Sequence, residues 1–188
     1  GEVSVDIEQS IRKLWEDYPH RQRRDVGIIH AVRTGSEMNS SFDISVLTYE
    51  SRSKTWTTTN VGLPDHSAVL RFAGSGSAVV RSAHEAWQKS SARRTSRAVF
   101  SAFCEALHSG SDASSGGAPQ LVGLYRIGGG RMYGIVHAGQ RYLAGAQLPG
   151  HEVPEGVEWR NELFERVDGR TKRVLTGAQR HKHRNSEH

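Results

Sequence analysis

Cysteine is almost absent from this sequence, and long apolar runs are absent altogether. The single cysteine, Cys104, excludes an internal disulfide, so a reducing cytoplasm is the simplest compartment for the chain. No apolar run approaches the ~20 residues that a membrane helix requires, and no signal-peptide pattern opens the chain. We therefore expect a cytoplasmic protein with no membrane partner.

The length of 188 residues is enough for about one domain with one sizeable core. The net charge of +5 is uneven, because Arg, Lys and His crowd the last stretch of the chain. We expect residues 1–169 to form a single domain and residues 170–188 a basic, solvated or disordered tail. A nucleic-acid-binding module remains a weaker alternative, because the charge lies mainly in the tail and forms no basic stripe with stacking aromatics on the body.

Hydrophobic periodicity predicts an α+β fold in which blocks of strands flank a pair of helices. A first helix runs through Ile7 to Tyr18, with Asp6 as its cap. Strands are predicted over residues 42–49, 55–61, 68–73, 120–127, 132–136 and 141–144. Helices are predicted over residues 77–89 and 96–108, and a loop with a short helix over residues 151–168. Residues 25–33 fit a helix or a strand.

Two glycine-containing stretches flank the predicted helix pair. Residues 74–77 (Gly-Ser-Gly-Ser) lie between a strand and a helix. Alone they favour a turn with a serine cap over a phosphate site, because they match neither the Walker A pattern nor the dinucleotide fingerprint. Residues 112–117 (Asp-Ala-Ser-Ser-Gly-Gly) alone have the composition of an ordinary loop.

Taken together, in this order around a helix pair, the two stretches resemble the proteasome β-type and bacterial HslV-like peptidases. The resemblance covers about Phe42 to Ala144. It implies a four-layer αββα sandwich of the N-terminal-nucleophile hydrolase type. It also implies a threonine peptidase subunit that works as a ring homo-oligomer, can have an ATPase partner, and cleaves a peptide or unfolded protein substrate.

The resemblance also implies roles for individual residues. Ser75 matches the serine that hydrogen-bonds near the amine of the nucleophilic threonine. Asp112 and Ser115 match the acid and the hydroxyl that orient the nucleophile and its proton-transfer network. Gly116 and Gly117 match glycines that let the backbone approach the site closely. Ser75, Asp112 and Ser115 are therefore the predicted catalytic residues.

The nucleophile itself is the point at which this sequence departs from the family. Gly1 offers an amine but neither a hydroxyl nor a thiol. We expect the N-terminal strands that carry the threonine to be missing from this sequence rather than lost by the protein. A catalytically inactive structural or regulatory subunit is the alternative, although intact Ser75, Asp112 and Ser115 argue against it.

The remaining reactive side chains predict no second site. Cys104 beside Phe103 is interpreted as a buried core residue. Four histidines are scattered along the chain and are interpreted as surface or capping residues: His30, His84, His108 and His137. His181 and His183 could touch a metal, but a mobile basic tail is a weak site. We therefore predict no cofactor and no metal.

Overall fold

The structure is a computed structural model that describes residues 2–19, 23–65, 67–150 and 152–186. The chain divides into an N-terminal unit, Gly1–Leu63, and a C-terminal unit, Pro64–His188. Helices and strands occur in both units, so the chain is α+β, as the sequence predicts. None of the helices in the described part of the chain has both the length and the apolar character that crossing a bilayer requires.

The described part of the N-terminal unit contains one α-helix, a short 3-10 helix (Glu37–Asn39) and an antiparallel sheet of three strands. These elements are α1 (Glu2–Asp17), β1 (Val26–Thr34), β2 (Ser41–Glu50) and β3 (Thr55–Val61), with the strands in the order β1-β2-β3. The predicted hairpin of β2 and β3 is confirmed, and the ambiguous segment before it is a strand. The helix begins at Glu2, so the prediction that Asp6 caps it is wrong.

Aromatic packing joins the helix of this unit to its sheet. The ring of Trp15 lies 5.2 Å from that of Tyr49 and 6.0 Å from that of Trp56, both with edge-on geometry. Tyr49 and Trp56 are cross-strand partners on β2 and β3. Such edge-to-face pairs add stabilisation beyond their burial. The amphipathic face of α1 therefore covers one side of the hairpin.

In the C-terminal unit, the described residues form two α-helices, then short strands, and finally a 3-10 helix (Arg184–Ser186). These elements are α2 (Ser77–Trp87), α3 (Ser96–Ser109), β4 (Val122–Gly123), β5 (Arg131–Met132), β6 (Gly134–His137), β7 (Gln140–Leu143), β8 (Ala146–Gln147), β9 (Trp159–Asn161) and β10 (Arg166–Val167). Both predicted helices are confirmed. The strand predicted over residues 68–73 is wrong, and so is the short helix predicted near Trp159, where the chain forms β9 and β10 instead.

The two helices form an antiparallel hairpin. Trp87, at the end of α2, packs against Ala98 and Ala102 near the start of α3. The hydroxyl of Thr95 accepts a hydrogen bond from the N–H of Ala98 at 3.2 Å and so caps α3. Gly110 ends α3 in the left-handed conformation, with φ of 59°, which glycine adopts without steric cost.

The face of α3 that carries Phe100 and Cys104 packs on the sheet of the C-terminal unit. These two side chains contact Tyr133 and Ile135, and all four are buried. In this sheet the strand order is β10-β9-β6-β7-β8, and β6 is parallel to β9 but antiparallel to β7. Because side chains alternate along a strand, Ile135 and His137 of β6 face α3.

The opposite face of this sheet is organised around a buried tryptophan. Trp159 packs with Val136 and Val167, and partly buried side chains cover them: Leu148, Val153, Val157 and Val174. The indole ring lies directly against the backbone at two glycines. A Cβ added to Gly134 would lie 2.4 Å from Cδ2 of Trp159, and one added to Gly169 would lie 2.4 Å from its Nε1.

The basic segment at the end of the chain contacts α3, although the sequence predicts a solvated or disordered tail. The guanidinium of Arg184 donates to Oε2 of Glu105 at 3.0 Å and to Oε1 at 2.5 Å. Glu105 also accepts from the indole N–H of Trp87 at 2.9 Å. The ring of His183 lies edge-on to Trp87 at 5.5 Å. The described part of this segment is therefore anchored on the helix pair.

The close contact of Gly134 with Trp159 predicts a large effect of one methyl group. We expect Gly134→Ala to destabilise the C-terminal unit by about 1–3 kcal/mol, because β6 and the indole cannot both keep their positions. Gly129→Ala is the matched control, since a Cβ there meets nothing within 4 Å and φ is not positive. Urea unfolding followed by tryptophan fluorescence measures both variants. Equal stability of the two variants would contradict this packing.

Candidate functional site

The first predicted stretch forms a tight turn that leads into α2. Gly74 has φ of +88°, a conformation that favours glycine, and its carbonyl accepts a hydrogen bond from the N–H of Ser77. The turn leaves Ser75 exposed just before the helix begins. The turn leads into a helix as predicted, but residues 68–73 before it do not form the predicted strand.

The second predicted stretch, residues 112–117, follows the end of α3. Asp112 stabilises a turn within it. Oδ1 of Asp112 accepts from the N–H of Ser114 at 3.3 Å, and the carbonyl of Asp112 accepts from the N–H of Ser115 at 3.1 Å. Aspartate commonly stabilises a turn in this way. The turn leaves Oδ2 of Asp112 available to other donors.

The structure brings Ser75, Asp112 and Ser115 together. The hydroxyl of Ser75 donates to Oδ2 of Asp112 at 2.7 Å, and that of Ser115 donates to the same oxygen at 2.5 Å. Two loops separated by the whole helix pair thus meet at one carboxylate oxygen. The geometric part of the sequence prediction is confirmed, while the catalytic role of the three residues stays a prediction.

Close backbone approach at this site occurs at Gly76. A Cβ there would lie 3.0 Å from both Oδ2 of Asp112 and Oγ of Ser115. By contrast, a Cβ on Gly116 or Gly117 would meet nothing within 4 Å. Gly76, which the sequence does not single out, is therefore the glycine that lies against the polar side chains, while the role of Gly116 and Gly117 stays a prediction. A glycine next to a serine between two elements is too common a pattern to single out Gly76.

A cleft of about 340 Å³ opens beside the three polar side chains. Its apolar lining comes from one side of the helix pair, and its polar lining comes from the loop after α3. The helix residues are Val79, Val80, Phe103, Ala106 and Leu107. An apolar cleft with a few convergent polar groups at its edge has the composition of a ligand site.

Hydrogen bonds set the charge state of the aspartate. The hydroxyl of Ser115, followed by that of Ser75, lowers the pKa of Asp112 below the usual value for an aspartate. Asp112 is therefore ionised at neutral pH and is a weak base. A weak base cannot activate a serine hydroxyl efficiently, so the arrangement is suited to orienting another group rather than to supplying the nucleophile.

The only cysteine is not a nucleophile. Cys104 is buried in the contact between α3 and the sheet, as the sequence predicts. Burial, followed by the charge of Glu162, raises the pKa of its thiol well above the usual range. The thiol therefore stays protonated, and a protonated thiol is unreactive.

A second cluster of polar side chains lies on another side of α3. Nδ1 of His137 lies 2.9 Å from Oε1 of Glu162, and Nε2 of His108 lies 3.6 Å from the same oxygen. The two imidazole rings stack with centroids 4.5 Å apart. The interpretation of His137 as a surface or capping histidine is wrong, because this residue is buried. His108 is exposed in the last turn of α3, as the sequence predicts, and α3 and β6 bring the two rings together.

The histidine on β6 is buried, and its pKa is lowered. Burial is the main cause that lowers the pKa of His137, and the neighbouring His108 adds to it, whereas Glu162 opposes both. One sequence signal could have indicated that His137 is buried. Side chains alternate along β6, and Ile135, two residues before His137, is an apolar core residue.

Comparisons of the chain with protein-family models, with curated proteins and with solved structures find no match. The site is therefore interpreted from its own geometry and chemistry.

The hydrogen bonds of Asp112 predict an order of effects on its titration. We expect Ser115→Ala to raise the pKa of Asp112 most and Ser75→Ala to raise it less, because each removes one donor to the carboxylate. Ser114→Ala is the matched control, since the contact of that residue is through its backbone N–H. Carboxyl ¹³C NMR titration measures all three.

The sign of the pH effect follows from the lowered pKa. The hydrogen-bonded carboxylate stabilises the loop above the pKa of an unfolded aspartate, and this contribution is lost as the pH falls through the lower, folded value. An Asp112 that titrates at its ordinary value in the unsubstituted protein would contradict the hydrogen bonds described for it.

Proposed function

We propose that Ser75, Asp112 and Ser115 form the orienting part of a threonine peptidase site of the proteasome-like type. The observation that carries this proposal is the convergence of two hydroxyls from separate loops on one oxygen of Asp112. The nucleophile is an N-terminal threonine that the 188 residues do not contain. The three residues hold that threonine rather than replace it.

The chemistry of such a site depends on an amine held next to a hydroxyl. An α-amine has a pKa of about 8, so part of it is free to accept a proton at neutral pH. The threonine hydroxyl gives its proton to this amine while its oxygen attacks the peptide carbonyl, and the amine then protonates the departing nitrogen. Water finally cleaves the ester. Ionised Asp112 and its two hydroxyl partners offer the acceptors that fix the amine.

The cleft beside the three residues supports a peptide as substrate. Its floor is formed by apolar side chains of both helices, including Val79, Phe103 and Leu107. Apolar surface next to a polar edge suits the side chain of a residue in an extended or unfolded polypeptide. The substrate is therefore a peptide or an unfolded protein segment.

The proposal extends to the architecture and the assembly. In a four-layer αββα sandwich, α2 and α3 form an outer helical layer over the sheet that contains β6. A ring homo-oligomer with an ATPase partner agrees with the hairpin of β4 and β5, because that hairpin exposes large apolar side chains. They are Val122, Leu124, Tyr125, Ile127 and Met132. The lone buried Cys104 agrees with a reducing cytoplasm.

One observation favours a second candidate, an inactive structural or regulatory subunit of the same fold. Both serine hydroxyls already donate to Asp112 without any nucleophile between them. A site that satisfies its own polar groups is stable without a catalytic task. Activity measurements separate the two candidates.

The test compares hydrolysis of short fluorogenic peptides by two forms of the protein. One form is the 188-residue chain, and the other carries an upstream segment with a threonine exposed by processing. We expect activity in the longer form alone, because only it supplies both an amine and a hydroxyl. Equal cleavage by both forms would place the nucleophile elsewhere and reject the proposal.

Substitutions in the longer form test the role of the site. We expect Ser115→Ala to reduce kcat/KM by roughly 10²–10⁴-fold, the usual cost of losing one proton-transfer or orienting group. Ser111→Ala, in the same loop but outside the cleft lining, should stay within about twofold of the unsubstituted protein, because it removes no donor to Asp112. A longer form that stays inert even with its ATPase partner would favour the structural subunit.

A further inference from the structure

We propose that His108, His137 and Glu162 bind a divalent transition-metal ion of the Zn²⁺ class. Each residue offers one ligand atom, and these atoms all lie within 4.8 Å of one another. This inference concerns the side of α3 that faces β6 and does not depend on the proposed peptidase site.

The spacing of the ligand atoms fits a tetrahedral ion. Zn²⁺ binds imidazole nitrogen and carboxylate oxygen at about 2.0–2.2 Å, which places neighbouring ligand atoms of a tetrahedral site about 3.4 Å apart. The two distances from Oε1 of Glu162, 2.9 Å to His137 and 3.6 Å to His108, lie on either side of this value. To complete the site, the two stacked imidazole rings must turn so that a nitrogen of each points at the ion.

Three separate elements supply the ligands, and the fold fixes each of them. His108 lies in the last turn of α3, His137 ends β6, and Glu162 lies in the turn between β9 and β10. The hydroxyl of Ser101 on α3 donates to the carbonyl of Glu162 at 2.9 Å, which ties this turn to the helix. The N–H of Ala138 donates to Oε1 of Glu162 at 2.7 Å and orients the carboxylate. Such supporting contacts are typical of metal ligands.

The contact between the buried histidine and the carboxylate is close but poorly directed. Nδ1 of His137 is buried and lies 2.9 Å from Oε1 of Glu162, so the two groups are paired, yet the contact does not meet the geometry of a hydrogen bond. A cation bound by both groups would satisfy this buried nitrogen more fully than the present contact does.

The donor set selects the class of ion. Two imidazoles and one carboxylate are a common ligand set for Zn²⁺, whereas Mg²⁺ and Ca²⁺ prefer sites made of oxygen alone. His108 and Glu162 are partly exposed, with 47% and 33% of their side-chain surfaces accessible. A fourth coordination position is therefore open to water, as in sites that bind an exchangeable ligand.

The experiment is a titration of the chelator-treated 188-residue protein with Zn²⁺ in a calorimeter, followed by Co²⁺ as a spectroscopic probe. We expect one ion per chain and a visible Co²⁺ band of tetrahedral or five-coordinate type. His108→Ala should weaken binding by at least about 100-fold, because even groups that only orient a ligand contribute about 10–100-fold. His137→Ala should have the same effect, and Glu162→Gln an intermediate one.

Two controls separate this site from other histidines. His30→Ala removes a histidine of the N-terminal unit, and the double variant His181→Ala, His183→Ala removes two from the basic segment. Both should keep the ion, the stoichiometry and the Co²⁺ band. If either variant loses the ion instead, the ion binds at the histidines that this variant removes and the proposal is wrong.

The choice of His108→Ala as the main variant keeps the test decisive. His108 is exposed at the end of α3, so its removal should leave the circular dichroism spectrum and the urea midpoint unchanged, even if the buried His137→Ala variant fails to fold. Absence of Zn²⁺ binding, or binding that His108→Ala does not weaken, would overturn the proposal and leave a histidine pair that shares a carboxylate.

Discussion

The packing of α3 on β6 is the interaction on which the C-terminal unit depends. Phe100 and Cys104 bury one face of the helix against Ile135, and this contact fixes both the height and the rotation of α3. The end of the helix sets the position of the loop after α3, because Asp112 is only two residues beyond Gly110, which caps the helix. A small rotation of α3 would therefore displace His108, Asp112 and Ser115 relative to their partners on other elements.

Different faces of α3 therefore contact different neighbouring elements. Phe103 and Leu107 line the cleft shared with α2, whereas Ser101 and His108 contact the strand side and the turn at Glu162. Because 3.6 residues make one turn, these positions differ by a fixed angle that no side-chain motion can change. The two clusters are therefore mechanically linked through a rigid element, although they share no side chain.

The parts of the fold that the sequence could predict are those with a local signal. The spacing of Ala98, Ala102 and their neighbours identified α3, and alternation identified the hairpin of β2 and β3. The convergence of Ser75 and Asp112 could be predicted only from the resemblance to a family, because nothing local joins two loops across a helix pair.

The predictions that are wrong concern contacts between residues that are distant in the sequence or turns that local spacing does not reveal. Trp159 and Leu163 are spaced like residues of one helix face, but they belong to a strand and to the turn after it. That turn is fixed by the side chain of Asn161, which accepts hydrogen bonds from two following backbone N–H groups. The meeting of His108 with His137 depends on strand pairing, on which single-residue patterns carry no information.

The contact of Trp159 with Gly134 and Gly169 has a consequence for the history of this sequence. The indole occupies the volume that a side chain at either glycine would need. The three positions therefore cannot vary independently. A smaller residue in place of the tryptophan would free space beside both glycines, whereas a side chain added first at either glycine would force the indole or the backbone to move. We therefore expect lineages to enlarge either glycine only after the tryptophan has become smaller.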